Sequence, residues 1–393
     1  MSVIITLKSG KEISIFRRHP WIFSGAIKNI DGKPKEGDIV TIVDNQGNFL
    51  AQGHYQPNSI MVRVLSFEAK AINQDFWTNR IAAAYGMRKA LGLAGSSHTN
   101  VYRLLHGEGD GLPGLIIDVY DKAAVVQFHT TGMFLARKEI FNAIEEVLGD
   151  AITTIYDKSE GTMPFKGPVK AQNEFIKGNQ ASTIVREHDN LFKVDWVEGQ
   201  KTGFFVDQRE NRKLVQEYAK DRKVLNMVGY TGGFSVYAMR GGAELVHSVD
   251  VSKSAIEMTN ENVELNFPND PRHEAFATDA FAYLSDIQDK YDLIILDPPA
   301  FAKHQNVLDN ALQGYKKLNQ KAIEQIKPGG LLFTFSCSQV VSKENFRKSV
   351  FAAAANARRN VSILYQVSQP SDHAISIFHP EGEYLKGLIC YVE

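Results

Sequence analysis

Only two cysteines occur in the chain, Cys337 and Cys390, far apart and in unlike surroundings. That scarcity excludes a disulfide framework and a cysteine-ligated zinc site. No run approaches the roughly 18 consecutive apolar residues that a membrane-spanning helix requires, and the N-terminus has no basic segment followed by an apolar one. The expectation is a cytoplasmic protein with no membrane partner that does not follow the usual secretory route. Excess charge is missing too: 44 Lys and Arg stand against 45 Asp and Glu, a formal net charge of -1. Attraction to a polyanion must therefore come from local asymmetry. No internal repeat or low-complexity tract stands out, and His106, Asp110 and Asp118 lack the spacing of a metal-ligand set, so no metal is expected. What remains is 393 residues with 44% hydrophobic content, enough to bury two or three cores.

The most ordered information lies between residues 223 and 338. KVLNMVGYTGGFSVYA reads as an apolar strand, a turn with Gly229, Gly232 and Gly233, and a helix. Glycines at such a turn permit positive φ and close approach of a ligand to the main chain. Twenty residues beyond Tyr230, LVHSVD ends in Asp250, the carboxylate position that pairs with ribose hydroxyls in doubly wound folds. The spacing would fit a dinucleotide as well, but GYTGG is not GxGxxG and no segment supplies a clear second nucleotide half. The pattern suits a single nucleoside without a pyrophosphate, namely S-adenosylmethionine, with Asn226, Tyr230, Thr231, Gly232 and Gly233 on the loop side of its site. FATDAF puts Asp279 at a strand-to-helix junction, where it can accept the adenine amino group. YDLIILDPPAF supplies a wholly apolar strand, as expected of a buried parallel strand, ending in Asp297. Pro298 and Pro299 stiffen the chain beyond it and leave its carbonyls open to a donor.

KPGGLLFTFSCS reads as a turn, an apolar strand, and then Ser336, Cys337 and Ser338 at the next carboxyl end, beside Asp297 if the strands are neighbours. A cysteine between hydroxyls at a strand tip suits a nucleophile better than a core filler, whereas Cys390 in the apolar run LKGLICYVE reads as structural. Carbon 5 of a pyrimidine is too poor a nucleophile to attack a methyl sulfonium directly at a useful rate. Thiolate addition to carbon 6 turns the ring into an enamine-like nucleophile and splits one hard step into easier ones. An acid at Asp297 would then hydrogen-bond nitrogen 3 and the exocyclic amine as charge collects there. Methyl transfer to an exocyclic amine of guanine or adenine needs no thiolate, so that alternative stays open with Cys337 a bystander. A third reading, a non-catalytic RNA-binding assembly factor, has to explain why Asp250, Asp279, Asp297 and Cys337 are all intact.

Near the start, Lys8, Lys11, Arg17, Arg18, Lys28, Lys33 and Lys35 outnumber the interleaved acids. Arg17, Arg18 and His19 stand directly before Pro20, Trp21 and Phe23, mixing cationic and stacking groups as single-stranded RNA surfaces do. Trp21 and Phe23 also read as core residues of a small β domain. The runs ISIF, DIVTIV and IMVRVL, parted by turns such as EGD and NQGN, predict a small β-barrel ending near Glu68. Further on, residues 74–93 predict a helix with Trp77, Ile81, Ala84 and Leu91 near one face. LIIDVYDKAAVVQFH predicts a hairpin turning at Asp121 and Lys122, and residues 133–149 a second helix ended by Gly149. Residues 185–201 read as a β lead-in to the last domain. TGFFVDQRENR combines a Gly turn, aromatics, Asp207, Gln208, Arg209 and Arg212; it predicts a helix capped by Asp207 with an exposed charged face, and Gln208 or Arg209 turned to the cofactor pocket. The division expected is 1–70 as a small β-barrel domain, 73–190 as a central α+β domain and 191–393 as a doubly wound, Rossmann-like α/β methyltransferase domain.

The chain resembles the bacterial RlmI-like methyltransferases, which make 5-methylcytosine in large-subunit ribosomal RNA. The resemblance rests on LKSGKEISIFRRHPWIFSGAI, GEGDGLPGLIIDVY, TGFFVDQRENR, VLNMVGYTGGFS, LDPPAFAK, SCS and EYLKG, and covers nearly the whole chain. It implies an N-terminal RNA-binding PUA domain, S-adenosylmethionine held by Asp250, Asp279 and Asp297, Cys337 as nucleophile and ribosomal RNA as partner. Val228 departs from it, occupying a loop position where an aromatic residue is expected. The oligomeric state is left open, a homodimer included.

Overall fold

Period-two alternation carries the first part of the chain, and it folds accordingly. A computed structural model describes residues 3–164, 167–302 and 304–393, so Lys303, the last residue of LDPPAFAK, lies outside the described residues. Six strands form one sheet in the order Trp21–Phe23, Ile60–Ser66, Phe49–Tyr55, Ile39–Val43, Val3–Leu7 and Ile27–Asp31. Their inward side chains, among them Ile5, Leu7, Ile22, Val40, Ile42, Val62 and Val64, make one apolar core. ISIF departs from expectation. It is a single helical turn, Ile13–Phe16, with the N–H groups of Ile15 and Phe16 donating to Glu12 O. Only Ile15 of this run is buried, so two-residue periodicity has no face to satisfy, and the backbone groups pair locally instead.

A five-stranded sheet follows, ordered Glu174–Lys177, Thr154–Asp157, Ala123–Phe128, Leu115–Tyr120 and Val101–His106. The hairpin turns at Asp121 and Lys122 as expected, with Asp121 at φ 54. Helix Gln74–Ala90 buries Trp77, Ile81, Ala84 and Arg88. Leu91 is the C-cap and is 41% exposed, so the fourth place on the buried face belongs to Arg88. A guanidinium can stand there because Asp110 pairs with it in bidentate fashion, both side chains buried. The helix expected over 133–149 is two helices, Thr131–Leu135 and Arg137–Leu148, broken at Ala136. Gly149, at φ 52, ends the second.

The lead-in is the hairpin Ser182–Glu187 and Asn190–Asp195. His188 and Asp189 take φ 47 and 65, the left-handed pair that a two-residue hairpin turn requires. Beyond it lies a seven-stranded sheet in the order His273–Ala277, Leu245–Asp250, Lys223–Met227, Leu293–Leu296, Gly330–Ser336, Lys386–Val392 and Val361–Val367. The first five strands are parallel; Lys386–Val392 runs antiparallel to its neighbours on both sides. Leu225, Met227, Ile294, Leu296 and Leu332 belong to a core shared with helices Leu308–Gln325 and Lys343–Ala357. Such a doubly wound sheet collects ligands at the carboxyl ends of its strands.

In space the chain divides into two compact units. One comprises Met1–Val185, Val194–Phe204 and Ser371–Gly382; the other comprises Arg186–Lys193, Phe205–Pro370 and Glu383–Glu393. Among the described residues, no helix is long and apolar enough to cross a membrane.

Candidate active site at the carboxyl ends of the parallel strands

Strand Lys223–Met227 is buried along Val224–Met227 and delivers a turn in which φ is positive at Val228 (58), Tyr230 (45) and Gly232 (74). Glycine alone was expected to supply such angles, yet Gly229 and Gly233 do not take them. Their role is close approach: a Cβ on Gly229 would stand 3.1 Å from Asn226 Nδ2, and one on Gly233 2.9 Å from Arg212 Cδ. Val228 is a β-branched residue in the left-handed region, a conformation that costs about 1–3 kcal/mol and persists only where surroundings impose it. One such constraint is visible. Gly229 N–H donates to Val249 O at 3.1 Å and Tyr230 N–H to Asp250 Oδ2 at 3.1 Å, which tie the turn to the neighbouring strand. Gly232 is the N-cap of helix Gly233–Arg240, and Thr231 is buried, its carbonyl accepting from Asn262 Nδ2 at 2.8 Å.

Asn226 is fully buried, and its Nδ2 donates to Ser235 Oγ at 2.8 Å. Ser235, Ser248 and His273 continue that chain at 2.6 and 2.8 Å. Burial pushes the His273 imidazole down to about 4, so it serves the chain in its neutral form. Among the described residues, Asn226 Oδ1 meets no hydrogen-bond partner. A buried amide oxygen left over beside a glycine turn fits a site that takes a polar ligand.

Asp250 ends strand Leu245–Asp250, as expected from LVHSVD. Each carboxylate oxygen accepts one backbone N–H, Oδ2 from Tyr230 and Oδ1 from Ser252 at 2.9 Å, which fixes the group while leaving further lone pairs for a diol. Thr278 N–H bonds to Asp250 O at 3.0 Å, and one residue later Asp279 caps helix Ala280–Tyr283 through Oδ1, 2.9 Å from Ala282 N. The two carboxylates thus leave adjacent parallel strands at the same end. Asp297, half-buried, follows strand Leu293–Leu296 two strands away from Leu245–Asp250, across Lys223–Met227.

Strands Leu293–Leu296 and Gly330–Ser336 are parallel neighbours, which brings Cys337 beside the Asp-Pro-Pro turn. Its Sγ lies 3.9 Å from Pro298 O, toward which the thiol donates weakly, and the side chain is half-buried. Flanking hydroxyls are engaged in holding the turn. Ser336 Oγ donates to Tyr315 OH at 2.9 Å, Tyr315 OH lies 3.0 Å from Ser338 Oγ, and Ala302 N–H donates to Ser338 Oγ at 3.3 Å. Cys390 is fully buried in strand Lys386–Val392, and burial pushes its thiol up to about 12.

TGFFVDQRENR differs from its expected form. Asp207 caps no helix: it sits in a 3-10 turn, Val206–Gln208, buried, and Oδ2 accepts from Tyr384 OH at 2.7 Å. Helix Arg209–Tyr218 buries Arg209, Asn211, Arg212 and Val215, so its two arginines point inward while Glu210 and Glu217 keep an exposed charged face. Arg212 can be buried because Glu187 receives Nε and Nη2 at 2.8 Å each; burial opposes the guanidinium charge, and the Glu187 carboxylate outweighs it. Phe205 packs edge-on against Tyr230 with ring centroids 5.0 Å apart, which brings this segment to the glycine turn. Gln208 Oε1 accepts from Asn211 Nδ2 at 2.6 Å, and Arg209 Nε donates to Glu210 Oε1 at 3.2 Å.

One residue beside the sulfur went unassigned in the sequence. Lys386, 4% exposed, donates from Nζ to Ser338 O at 2.6 Å and Val341 O at 2.8 Å. Its signal was a lone lysine opening an apolar strand, within EYLKG.

The residues expected to meet RNA lie in the six-stranded sheet's unit. Arg17 and Arg18 are exposed, the latter at φ 59 with its guanidinium 5.6 Å from the Phe67 ring centroid. His19 Nδ1 accepts from Trp21 N–H at 3.1 Å. Trp21 donates from Nε1 to Glu108 at 2.8 Å, with Arg63 5.2 Å and the His379 ring 4.3 Å from its ring centroid. A cleft of about 600 Å³ lined by Glu257, Glu261, Glu264, Asp270 and His273 lies at the amino end of strand His273–Ala277; its acidic wall and its place oppose a role in holding RNA or cofactor. Among the described residues, no group of three or more His, Cys, Asp or Glu could hold a metal ion.

Fold and site together define a class, the S-adenosylmethionine-dependent methyltransferases, and the family model of that description matches residues 137–367. A PUA-like domain model matches residues 5–67. Proteins called ribosomal RNA large subunit methyltransferase I are 38% identical in Enterobacter sp. (strain 638), 37% in Erwinia tasmaniensis and 38% in Escherichia coli (strain SMS-3-5), each alignment covering 100% of both chains. The chain belongs to the ribosomal RNA large subunit methyltransferase I family. A solved structure of a SAM-dependent methyltransferase from Streptococcus mutans superposes with a TM-score of 0.84 at 23% identity over 100% of both chains, and a methyltransferase complexed with SAH superposes at 0.85 and 23%, likewise over 100% of both. Those two likenesses bear on the fold.

Proposed function

We propose that this methyltransferase modifies carbon 5 of a cytosine in large-subunit ribosomal RNA through an adduct between Cys337 and carbon 6. The observation that carries the reading is Cys337 Sγ lying 3.9 Å from Pro298 O, next to Asp297, at the sheet end that also presents Asp250 and Asp279. In this reading Asp250 holds the ribose hydroxyls, Asp279 accepts the adenine amino group, and Asn226, Tyr230, Thr231, Gly232 and Gly233 form the loop side of the pocket, with Gln208 or Arg209 turned to it. When bound, S-adenosylmethionine supplies an electrophilic methyl group. The Cys337 thiolate forms the S–C6 bond as the C5–C6 double bond opens, and an acid at Asp297 donates to nitrogen 3 while its other oxygen accepts from the exocyclic amine, as negative charge collects on the ring. Carbon 5 would then take the methyl group as its bond to the sulfonium sulfur breaks, leaving the neutral thioether. Loss of its proton to a base breaks the S–C6 bond and frees 5-methylcytosine and the thiolate.

For RNA docking we assign the 1–70 segment, with Arg17 and Arg18 toward phosphates and His19 and Trp21 beside them. Residues 73–190 form the central domain and 191–393 the catalytic domain, acting in the cytoplasm where ribosomal RNA is found. The test is mass mapping of modified nucleosides in ribosomal RNA from a deletion strain. Loss of one 5-methylcytosine supports the proposal, and loss of an N-methylated purine in its place contradicts it. Removing both charges at Arg17 and Arg18 should flatten the salt dependence of RNA binding by about 0.7 for each phosphate no longer neutralised, with cofactor affinity unchanged. An unaltered slope would return these arginines to a merely solvated face.

A further inference from the structure

An ammonium group buried in an apolar strand calls for a reason, since desolvation costs several kcal/mol unless the charge is matched. Lys386 stands opposite Ser336 in the antiparallel ladder, between Leu385 and the buried run Gly387–Cys390. Its two acceptors, Ser338 O and Val341 O, are carbonyls of the turn that carries Cys337. That turn is itself closed by Val341 N–H donating to Ser338 O at 3.1 Å. Among the described residues no carboxylate pairs with Lys386; Glu383, close by on its own segment, is bound to Lys343 at the start of helix Lys343–Ala357.

We propose that Lys386 is a positioning residue for Cys337, tying the sulfur-bearing turn to the last strand of the sheet and holding the sulfur as thiolate. The inference rests on the reading of Cys337 as nucleophile. The thiol proton leaves to solvent, the S–H bond breaking with its electron pair kept on sulfur, and the ammonium stabilises the charge left behind. The ionisable groups facing Lys386 are Cys337 from the strand tip, Glu383 from its own segment and Lys343 from the neighbouring helix. The Tyr315 hydroxyl is bonded to Ser336 and Ser338 on either side of Cys337 in the chain. Burial brings Lys386 down to about 8, while Cys337 and Glu383 favour its charge and Lys343 opposes it. At neutral pH the ammonium form therefore prevails, and above about 8 the stabilisation fades.

The experiment is the rate of alkylation of Cys337 by iodoacetamide across the neutral to alkaline range, read by mass spectrometry on the whole protein. Cys390, fully buried, is the silent internal control. Lys386→Met should raise the midpoint of the Cys337 profile by about one pH unit. Lys386→Arg, which keeps a charge that does not titrate there, should leave the midpoint in place. Calorimetry of S-adenosylmethionine binding checks that each variant is folded. An unmoved midpoint in folded Lys386→Met would overturn the proposal, as would a Lys386→Arg midpoint raised by the same unit, a result that needs no folded Met variant. Because alkylation reads the thiol and not methyl transfer, failure of Cys337 as nucleophile would show separately, as turnover by Cys337→Ser.

Discussion

The turn after Met227 and the turn after Ser336 leave the same end of the same sheet, yet the first takes left-handed backbone angles held from neighbouring elements by Asp250, Thr259 and Asn262, and the second is held by its own hydroxyls, Tyr315 and a lysine. After Met227 the chain takes left-handed angles at Val228, Tyr230 and Gly232 and gives backbone N–H groups to Val249 and Asp250. After Ser336 hydroxyls of Ser336, Ser338 and Tyr315 and the ammonium of Lys386 hold the chain. The difference follows from what each turn receives. A nucleoside needs close approach to main-chain groups with few side chains in the way, so the loop is made of glycines and strained residues. A reactive sulfur needs a defined position and a fixed electrostatic surrounding, which side chains provide.

Variants that separate the two turns should fall in a definite order. Cys337→Ser should reduce methyl transfer to background while S-adenosylmethionine affinity, measured by calorimetry, stays at the wild-type value; loss of cofactor binding as well would mean that the turns are not separable. Asp250→Ala should weaken the cofactor by about 1.5–3 kcal/mol, roughly 10- to 150-fold in Kd, the scale of charge-assisted hydrogen bonds. Asp250→Asn, which keeps one acceptor oxygen, should lose less. Gly232→Ala places a Cβ at φ 74 and 2.8 Å from Thr259 Cγ2, in a side chain that is itself buried and bonded to Tyr230 O. It should cost about 1–2 kcal/mol of stability from the backbone alone and lower cofactor affinity, leaving Cys337 alkylation as it was. Smallest is Val228→Gly, which relieves a strained angle at the expense of chain entropy. Denaturation should show a gain of no more than about 1 kcal/mol, and a loss would mean that packing of the Val228 side chain outweighs its strain.

Much of this site is legible in the sequence because parallel strands announce themselves as apolar runs and place their next residue at a common edge. Asp250, Asp279, Asp297 and Cys337 each end or closely follow a strand, so all four stand at one end of the sheet, although their order across it is Asp279, Asp250, Asp297, Cys337 and differs from their order along the chain. Conformation inside the first turn is not legible: nothing in the letters Val228 or Tyr230 says that neighbouring strands impose left-handed angles on them. Lys386 is missed for a related reason, since its partners are backbone carbonyls of residues 338 and 341, which have no sequence signature. Arg88 and Arg212 mislead in the same direction. Charged residues at helical spacing read as solvated, and the distant carboxylates Asp110 and Glu187, with backbone carbonyls beside them, permit burial. Nor does local pattern reveal that Ser371–Gly382, which falls between two strands of the methyltransferase sheet, belongs to the other compact unit.

The central claim is that sulfur at position 337 bonds covalently to carbon 6 of the target base. Its most direct test replaces the target cytosine with 5-fluorocytosine in the RNA and looks for a protein–RNA adduct by denaturing electrophoresis and mass spectrometry. Fluorine at carbon 5 removes the proton whose loss would free the enzyme, so wild-type protein with S-adenosylmethionine should accumulate an adduct on the peptide containing Cys337, and Cys337→Ser should form none. Methyl transfer by Cys337→Ser at near wild-type turnover, with no adduct in either protein, would contradict the account.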